Sequence, residues 1–164
     1  AEHLLIEVVL QRHTVSDQPV LYVHWLCLRD PRGTFSERRP QLPGQDAPGL
    51  GIAQEIGVLL AQIARRLGLA GVAFRPAWYH MAYAARYEFR FVDPARQGRF
   101  EAMVRDLPPL SLREATIAVS QGHVRMNGQP YAWEADEMVY WLEPRVADRR
   151  GAEAERERVK FSAG

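Results

Sequence analysis

A glycine turn at residues 46–51 (DAPGLG) leads directly into an amphipathic segment, a pattern typical of sites that bind phosphate groups. The start of a helix leaves about four backbone N–H groups without intrahelical partners and carries roughly half a positive charge. Glycines have no Cβ, so the backbone of the turn can approach a ligand oxygen closely. We therefore predict a pyrophosphate cradle at the backbone of four consecutive residues: Gly49, Leu50, Gly51 and Ile52.

Two common phosphate-binding loops do not match this turn. No Lys-Ser or Lys-Thr pair follows the glycines, which excludes the P-loop of nucleotide hydrolases. The glycine spacing is not G-x-G-x-x-G, which disfavours a dinucleotide-binding fold. A structural interpretation stays open, in which Pro48 and Gly49 form a tight turn and Gly51 caps a packed helix.

Three side chains are candidates for a general base. His24 lies on a predicted strand just before a long loop, and an imidazole titrates near neutral pH, where it can accept a proton. His80 and Glu37 are the alternatives. A single histidine on a strand is more often a structural residue, so that interpretation of His24 also stays open.

Cys27 is the only cysteine, which excludes a disulfide within the chain and a thiolate zinc cluster. As a nucleophile it would need a base on the same side. Strand alternation predicts that His24, three residues earlier, points to the opposite face, so we expect a buried thiol. Five histidines show no H-x-x-x-H spacing, and we predict no metal site: His3, His13, His24, His80 and His123.

Aromatic residues recur on one face of a helix predicted at residues 78–88. Tyr79, Tyr83 and Tyr87 are spaced i, i+4, i+8. Arginines lie nearby at positions 75, 86 and 90. These aromatics could form a packed face covered by arginine stems, wall a substrate pocket with Trp78, or stack on nucleic-acid bases. We favour the packed face first, then a pocket of Trp78, Tyr79 and Tyr83, because the nearly neutral chain disfavours nucleic acid.

The elements before the aromatic helix follow from hydrophobic patterns. Two β-rich runs at 3–12 and 20–29 flank the turn-forming stretch 16–19 and predict an antiparallel hairpin. Both side-chain sets of the second run are largely apolar, so we expect both of its faces to be covered. A proline- and glycine-rich loop spans 30–49. Apolar residues at three- and four-residue spacing predict a helix over 51–67, with Ile52, Ile56, Leu59, Leu60, Ile63 and Leu67 on its stripe.

The remaining segments alternate between short strands and helices. Strands are predicted at 72–74, 89–92 and 138–142, helices at 95–106 and 111–121, and a hairpin of 123–126 with 131–133 around Asn127-Gly128. A capping box at Ser111 and Glu114 marks the start of the second helix. We predict an α/β (α+β) fold with a mixed central sheet, flanking helices, and C-terminal helices and hairpin. Residues 1–143 would form a single domain, and 144–164 a charged tail or exposed helix.

Composition limits the classes of protein that the chain can represent. It has 164 residues, 47% of them hydrophobic, and a net charge of +1, which suits one folded domain and gives no general attraction to nucleic acid or anionic lipid. No apolar run reaches the roughly 18 residues of a membrane span. We expect a cytoplasmic protein with no signal peptide, and residue 1, an Ala, is compatible with a trimmed N-terminus. The sequence leaves the oligomeric state open, a homo-oligomer included.

The glycine turn and the elements around it resemble the GCN5-related N-acetyltransferase superfamily over about residues 20–92. That family carries Q/R-x-x-G-x-G/A at the start of a long helix. Gly49 and Gly51 match the two small positions, and Asp46 stands at the first. The resemblance implies that backbone amides at this turn hold the pyrophosphate of acetyl-CoA or another acyl-CoA.

The resemblance extends to the next helix, where the family has an Asn and, seven residues later, a Tyr. Here these positions hold His80 and Tyr87, and Arg90-Phe91 stands in place of the family's Gly-Phe. The resemblance implies direct transfer of an acyl group to a small-molecule or protein amine, with Tyr87 as the acid that protonates the leaving thiolate. The alternative is a non-catalytic ligand- or protein-binding domain on the same fold, with its partner at the 78–90 face.

Overall fold

The computed structural model describes residues 3–144 and 149–164, which form a mixed α+β fold as predicted. The described residues contain five helices: α1 (Ala53–Arg66), α2 (Tyr79–Ala85), α3 (Pro94–Asp106), α4 (Leu112–Ser120) and α5 (Arg149–Arg158). They contain eight strands: β1 (Ile6–Val15), β2 (Gln18–Leu28), β3 (Gly71–Phe74), β4 (Arg90–Phe91), β5 (Val124–Met126), β6 (Gln129–Tyr131), β7 (Met138–Trp141) and β8 (Phe161–Ala163).

The strands form two sheets, and the chain divides into two compact units. One sheet has the order β1-β2-β3-β7-β4, with β1 antiparallel and β3 parallel to β2, and the other has the order β6-β5-β8. The first unit comprises Ala1–Phe74 and Val139–Pro144, and the second comprises Arg75–Met138 and Arg145–Gly164. Strand β7 begins in the second unit and continues in the first.

The first unit is built on the β1–β2 hairpin, whose two strands pair as predicted. Ser16 and Asp17 form the turn with φ of 47° and 60°, so the strands extend to the turn and Val15 pairs with Gln18. Both positive φ values are those of a type I′ turn, whose twist matches that of the flanking strands. The hairpin is therefore tighter than the longer connection that the sequence suggests.

The end of the hairpin far from the turn is uncovered, and our expectation that both faces of β2 are covered is wrong there. Val9 and Trp25 are 49% and 54% exposed. The reason is the short neighbouring strand, because β3 pairs with β2 only from Val20 to Tyr22. The remainder of β2 extends past its neighbour.

Helix α1 lies within the predicted range but buries a narrower face than its apolar stripe suggests. Leu60, Ala61 and Ala64 are buried, whereas Leu59 and Leu67 are 49% and 58% exposed. Small alanines allow the helix to pack closely against β2 and β3. The left-handed residue after the helix is Gly68, with a φ of 64°, as expected for a glycine that ends a helix.

The second unit begins with α2, which is shorter than predicted because it ends at Ala85. Helix α3 begins at Pro94 with an Asp93 cap, and the capping box of Ser111 and Glu114 at α4 is confirmed. Asn127 and Gly128 form the turn of the β5–β6 hairpin, with φ of 51° and 80°. These starts and turns depend on local hydrogen bonds and backbone conformation, which the sequence encodes directly.

The C-terminal segment is packed, so its description as a solvated tail or exposed helix needs correction for residues 149–164. Helix α5 packs against α3, with Ala152 and Val159 buried, and β8 pairs with β5. The charges of this segment do not reveal the packing from sequence, because a charged residue such as Glu155 is accommodated by hydrogen bonds from Arg99 and Arg158. The predicted tail also included residues 145–148, which lie outside the described residues.

Candidate functional site

The turn before α1 leaves its glycine backbone facing open space. Helix α1 begins at Ala53, and no side chain of the described residues caps its N-terminus. Gly51 has a φ of 75°, and a Cβ placed on it would meet no atom within 4 Å. A Cβ on Gly49 would meet only the Leu28 carbonyl oxygen, at 3.7 Å. The conformation at Gly51 favours glycine, and the space above both glycines is free within the described part of the chain.

Arginine side chains from the preceding loop reach this turn. Arg39 donates a hydrogen bond from Nη2 to the Gly49 carbonyl oxygen at 2.5 Å. Arg29 forms an ion pair of 3.1 Å with Asp46, which offsets the acidic charge at the first position of the turn. The sequence analysis did not select these two arginines, although the Arg38-Arg39 pair in a long loop was an available signal.

His24 lies at a β-bulge in β2. Trp25 pairs with Val9 and Val23 pairs with Leu10, so His24 is the extra residue between them. Its Nε2 lies 2.5 Å from Gln11 Oε1, and its side chain is exposed. An exposed imidazole beside one amide is accessible to a substrate.

The bulge also places the His24 side chain on the same face of β2 as Cys27. Cys27 pairs with Glu7, and His24 contacts Gln11, which lies on the same face of β1 as Glu7. The expectation that His24 and Cys27 point to opposite faces is therefore wrong, because the extra residue shifts the alternation. Cys27 is half-buried, and Glu37 is exposed in the loop.

The aromatic residues of the second unit do not share one helix face. Tyr79 is 3% exposed and contacts Trp133 and Phe100, with ring centroids 5.9 and 6.1 Å away. Burial raises the pKa of the Tyr79 hydroxyl, with the neighbouring Tyr83 as a second cause. Tyr87 is 80% exposed, since α2 ends before it. The predicted i, i+4, i+8 stripe is therefore wrong at its third member.

Trp78 and His80 lie at the start of α2. Trp78 is the half-buried residue before the helix, with extended backbone. His80 is half-buried, and its Nδ1 has no hydrogen-bond partner among the described residues. Burial lowers the pKa of His80, which favours the neutral imidazole that a general base needs.

Tyr83 and Tyr87 both contact the guanidinium of Arg86. The Arg86 Cζ lies 3.7 Å from the Tyr83 ring centroid and 4.1 Å from that of Tyr87. Arg86 Nη1 donates to the Tyr83 carbonyl oxygen at 2.5 Å, and Nη2 donates to the Tyr87 hydroxyl at 2.7 Å. The Tyr87 oxygen is thus an acceptor here and keeps its own proton available for donation.

The predicted site residues divide between the two units. The glycine turn and His24 belong to the first unit, while Trp78, Tyr79, His80, Tyr83 and Tyr87 belong to the second. Among residues 3–144 and 149–164, no group of three potential ligands could hold a metal ion. In the same ranges no helix combines the length and the hydropathy that a bilayer crossing requires.

Comparisons of the chain with protein-family models, with curated proteins and with solved structures give no significant match. The functional assignment therefore depends on the geometry of these residues.

Proposed function

We propose that the chain is an acyl-CoA-dependent N-acyltransferase that acts on a small-molecule or protein amine by direct transfer. The observation that carries this proposal is the uncapped first turn of α1, preceded by Gly49 and Gly51 with free space above them. Unpaired amides and the positive end of the helix dipole favour a pyrophosphate group.

The charges beside the turn support the same ligand. An acidic residue near a pyrophosphate is unfavourable, but Asp46 is paired with Arg29. Arg39 adds a guanidinium at the Gly49 carbonyl. Of the five N–H groups of this guanidinium, only one is used in that hydrogen bond, so the others can reach a phosphate oxygen.

The reaction requires two proton transfers. The amine nitrogen attacks the thioester carbonyl carbon, a base takes the amine proton, and the carbon–sulfur bond breaks as an acid protonates the thiolate. Tyr87 remains the proposed acid, since its hydroxyl proton is not used in the bond from Arg86. His24, His80 and Glu37 remain the candidate bases.

Calorimetric titration of the full chain with acetyl-CoA tests the cofactor assignment. Gly49→Ala should weaken binding at least about tenfold, because its methyl group blocks close approach of the pyrophosphate while the backbone conformation stays accessible. Gly57→Ala, at a glycine within α1 whose Cβ would meet no described atom within 4 Å, is the matched control and should bind normally. Pantetheine, which lacks the pyrophosphate, should not bind detectably.

Two results would contradict the proposal. One is no heat and no rise in melting temperature at millimolar acetyl-CoA or other acyl-CoAs, since a ligand of the folded state must stabilise it. The other is equal affinity for acetyl-CoA in the wild type and Gly49→Ala.

A second candidate function is a non-catalytic protein-binding domain. The uncovered hairpin end favours it, because Val9, Trp25 and Leu26 are 49%, 54% and 36% exposed on neighbouring strand positions. The originally predicted 78–90 face is less suitable, since Tyr79 lies in the core. This alternative predicts no thiol release from acyl-CoA with any amine. It also predicts that the chain forms a complex with a protein partner in sedimentation, which Trp25→Ser abolishes and His123→Ser leaves unchanged. Monomeric behaviour with every tested partner, together with thiol release, would exclude it.

A further inference from the structure

A cleft in the second unit contains Tyr87, the proposed acid, together with arginines to which the proposed acyl transfer gives no role. It has a volume of about 430 Å³ and is lined by the end of α2 and by residues of α3 and α5. The lining residues that matter here are Arg86, Tyr87, Phe100, Val104, Arg156 and Glu157. The size lies in the range of small-molecule sites.

The charge balance of this arginine cleft is positive. Two of its four arginines are already neutralised, since Arg90 pairs with Glu101 at 3.0 Å and Arg105 with Asp106 at 2.6 Å. Among the described residues, no carboxylate lies within 4 Å of the side chain of Arg86 or Arg156, the other two arginines of the lining. An anion entering the cleft would thus find Arg86 and Arg156 without ion-pair partners, against the one carboxylate of Glu157 in the lining that no arginine neutralises among the described residues.

Arg86 is held in one orientation before any ligand arrives. The Tyr83 carbonyl and the Tyr87 hydroxyl each accept one N–H, and the two rings lie against the guanidinium. Two of the five N–H donors are used, which leaves three for a ligand. A guanidinium fixed in this way loses little entropy on binding a planar or tetrahedral oxyanion in two-point fashion.

The cleft also offers apolar contacts beside these donors. Val104 of α3 contributes carbon surface to its wall, whereas Phe100, which also lines the cleft, is only 2% exposed. The Tyr87 ring is 80% exposed, so an aromatic or aliphatic group can contact it. Apolar surface beside charged donors suits a ligand that has both an anionic group and an apolar body.

We propose that the arginine cleft binds a small molecule that carries a carboxylate or phosphate on an apolar or aromatic body. Arg86 binds the oxyanion through its free N–H groups, Arg156 adds a second positive charge, and Val104 and the Tyr87 ring contact the apolar body. The arginines of the cleft have no role in the proposed acyl transfer, and Tyr87 is the lining residue that the two proposals share.

Titrations of the full chain with benzoate, phenyl phosphate and benzyl alcohol test this inference, with binding measured by calorimetry and by NMR shifts of the arginine side chains. At least one of the two anions should bind, the tighter one identifies the oxyanion, and neutral benzyl alcohol should bind at least about tenfold more weakly. Arg86→Lys keeps the positive charge but loses the paired N–H donors of the guanidinium, and should weaken binding of the preferred anion about tenfold.

A second variant separates binding from folding. Arg156→Gln should weaken binding of the anion several-fold. Within residues 3–144 and 149–164 the Arg156 side chain forms no ion pair whose loss would destabilise the fold. Arg150→Gln makes the same charge change on an exposed position of α5 outside the cleft and should leave the affinity unchanged. Both variants should bind acetyl-CoA normally if the glycine turn holds it, so the two sites fail independently.

The inference is overturned if neither anion binds the wild type at millimolar concentration. It is equally overturned if a folded Arg156→Gln protein and a folded Arg86→Lys protein bind the preferred anion as tightly as the wild type does.

Discussion

The Arg96 Cζ lies 4.5 Å from the Trp133 ring centroid, and this cation–π pair joins a buried arginine to a half-buried tryptophan in the second unit. Arg96 is 2% exposed and also lies 5.2 Å from the Phe91 ring centroid. Its two terminal nitrogens donate to the Tyr131 hydroxyl and to the Glu134 carbonyl oxygen. Aromatic faces and two neutral oxygens thus surround a buried guanidinium.

Replacing Arg96 by Leu should destabilise the protein by about 2–4 kcal/mol. The change removes the donor of the buried Tyr131 hydroxyl and the partly buried donor of the Glu134 carbonyl, and a buried oxygen left without a partner costs about 1–3 kcal/mol. Urea unfolding followed by tryptophan fluorescence measures the loss. The control Arg150→Leu, on an exposed position, should stay within about 0.5 kcal/mol, and a similar result for Arg96→Leu would contradict the proposed role.

Two Gly→Ala variants should change stability in opposite directions. A Cβ on Gly98 would collide with the Ala152 carbonyl oxygen and lie 2.7 Å from Glu155 Cβ, so α3 and α5 would have to separate. Gly98→Ala should cost about 1–3 kcal/mol. Gly57→Ala in α1 meets no atom within 4 Å and should stabilise by about 0.5–1 kcal/mol through helix propensity. Thermal unfolding distinguishes the two signs, and a stable Gly98→Ala protein would contradict the close packing.

Stability should fall in acid partly through Glu155. The Arg158 hydrogen bond, and then that from Arg99, lowers the pKa of Glu155 below its ordinary value of 4.5. The folded state therefore binds this proton less readily than the unfolded state. The contribution of Glu155 to the free energy of unfolding is complete above pH 4.5 and disappears as the pH falls through the folded pKa.

Urea titrations from pH 6 to pH 3 should show a shallower acid limb for Glu155→Gln than for the wild type. The exposed neighbour Glu153 supplies the control, and Glu153→Gln should follow the wild-type curve. Identical curves for all three proteins would show that Glu155 is not coupled to folding.

His80 should add a second pH dependence at higher pH. Burial lowers its pKa below 6.5, so the unfolded state takes up the proton first and stability falls as the pH drops from 6.5 through the folded pKa. His80→Gln should remove this step, whereas His123→Gln, on an exposed residue, should retain it. Chemical unfolding at pH 7.5, 6.5 and 5.5 gives the comparison, and a step that survives His80→Gln must have another origin.

Much of the secondary structure follows from short stretches of sequence. The Ser111–Glu114 capping box, the Asn127-Gly128 turn and Gly68 after α1 act through hydrogen bonds and φ values of a few consecutive residues. The mixed α+β composition follows from such local preferences together with hydrophobic periodicity. The glycine turn before α1 was recognisable for the same reason, since Gly51 has the positive φ that glycine favours.

Burial and side-chain partnership were decided only by tertiary structure. Tyr79 and Tyr87 have the same residue type eight positions apart, yet one is 3% and the other 80% exposed. Arg96 becomes buried through residues 35 and 38 positions away, and Phe161 donates its N–H to Asp106, 55 positions away. Contacts of this separation leave no periodic pattern in the sequence, because they depend on which elements pack together. The amino-acid sequence alone thus determined most of the elements and their turns, whereas packing over long separations decided that β8 pairs with β5, which charges are buried, which aromatics are exposed, and where the arginine cleft lies.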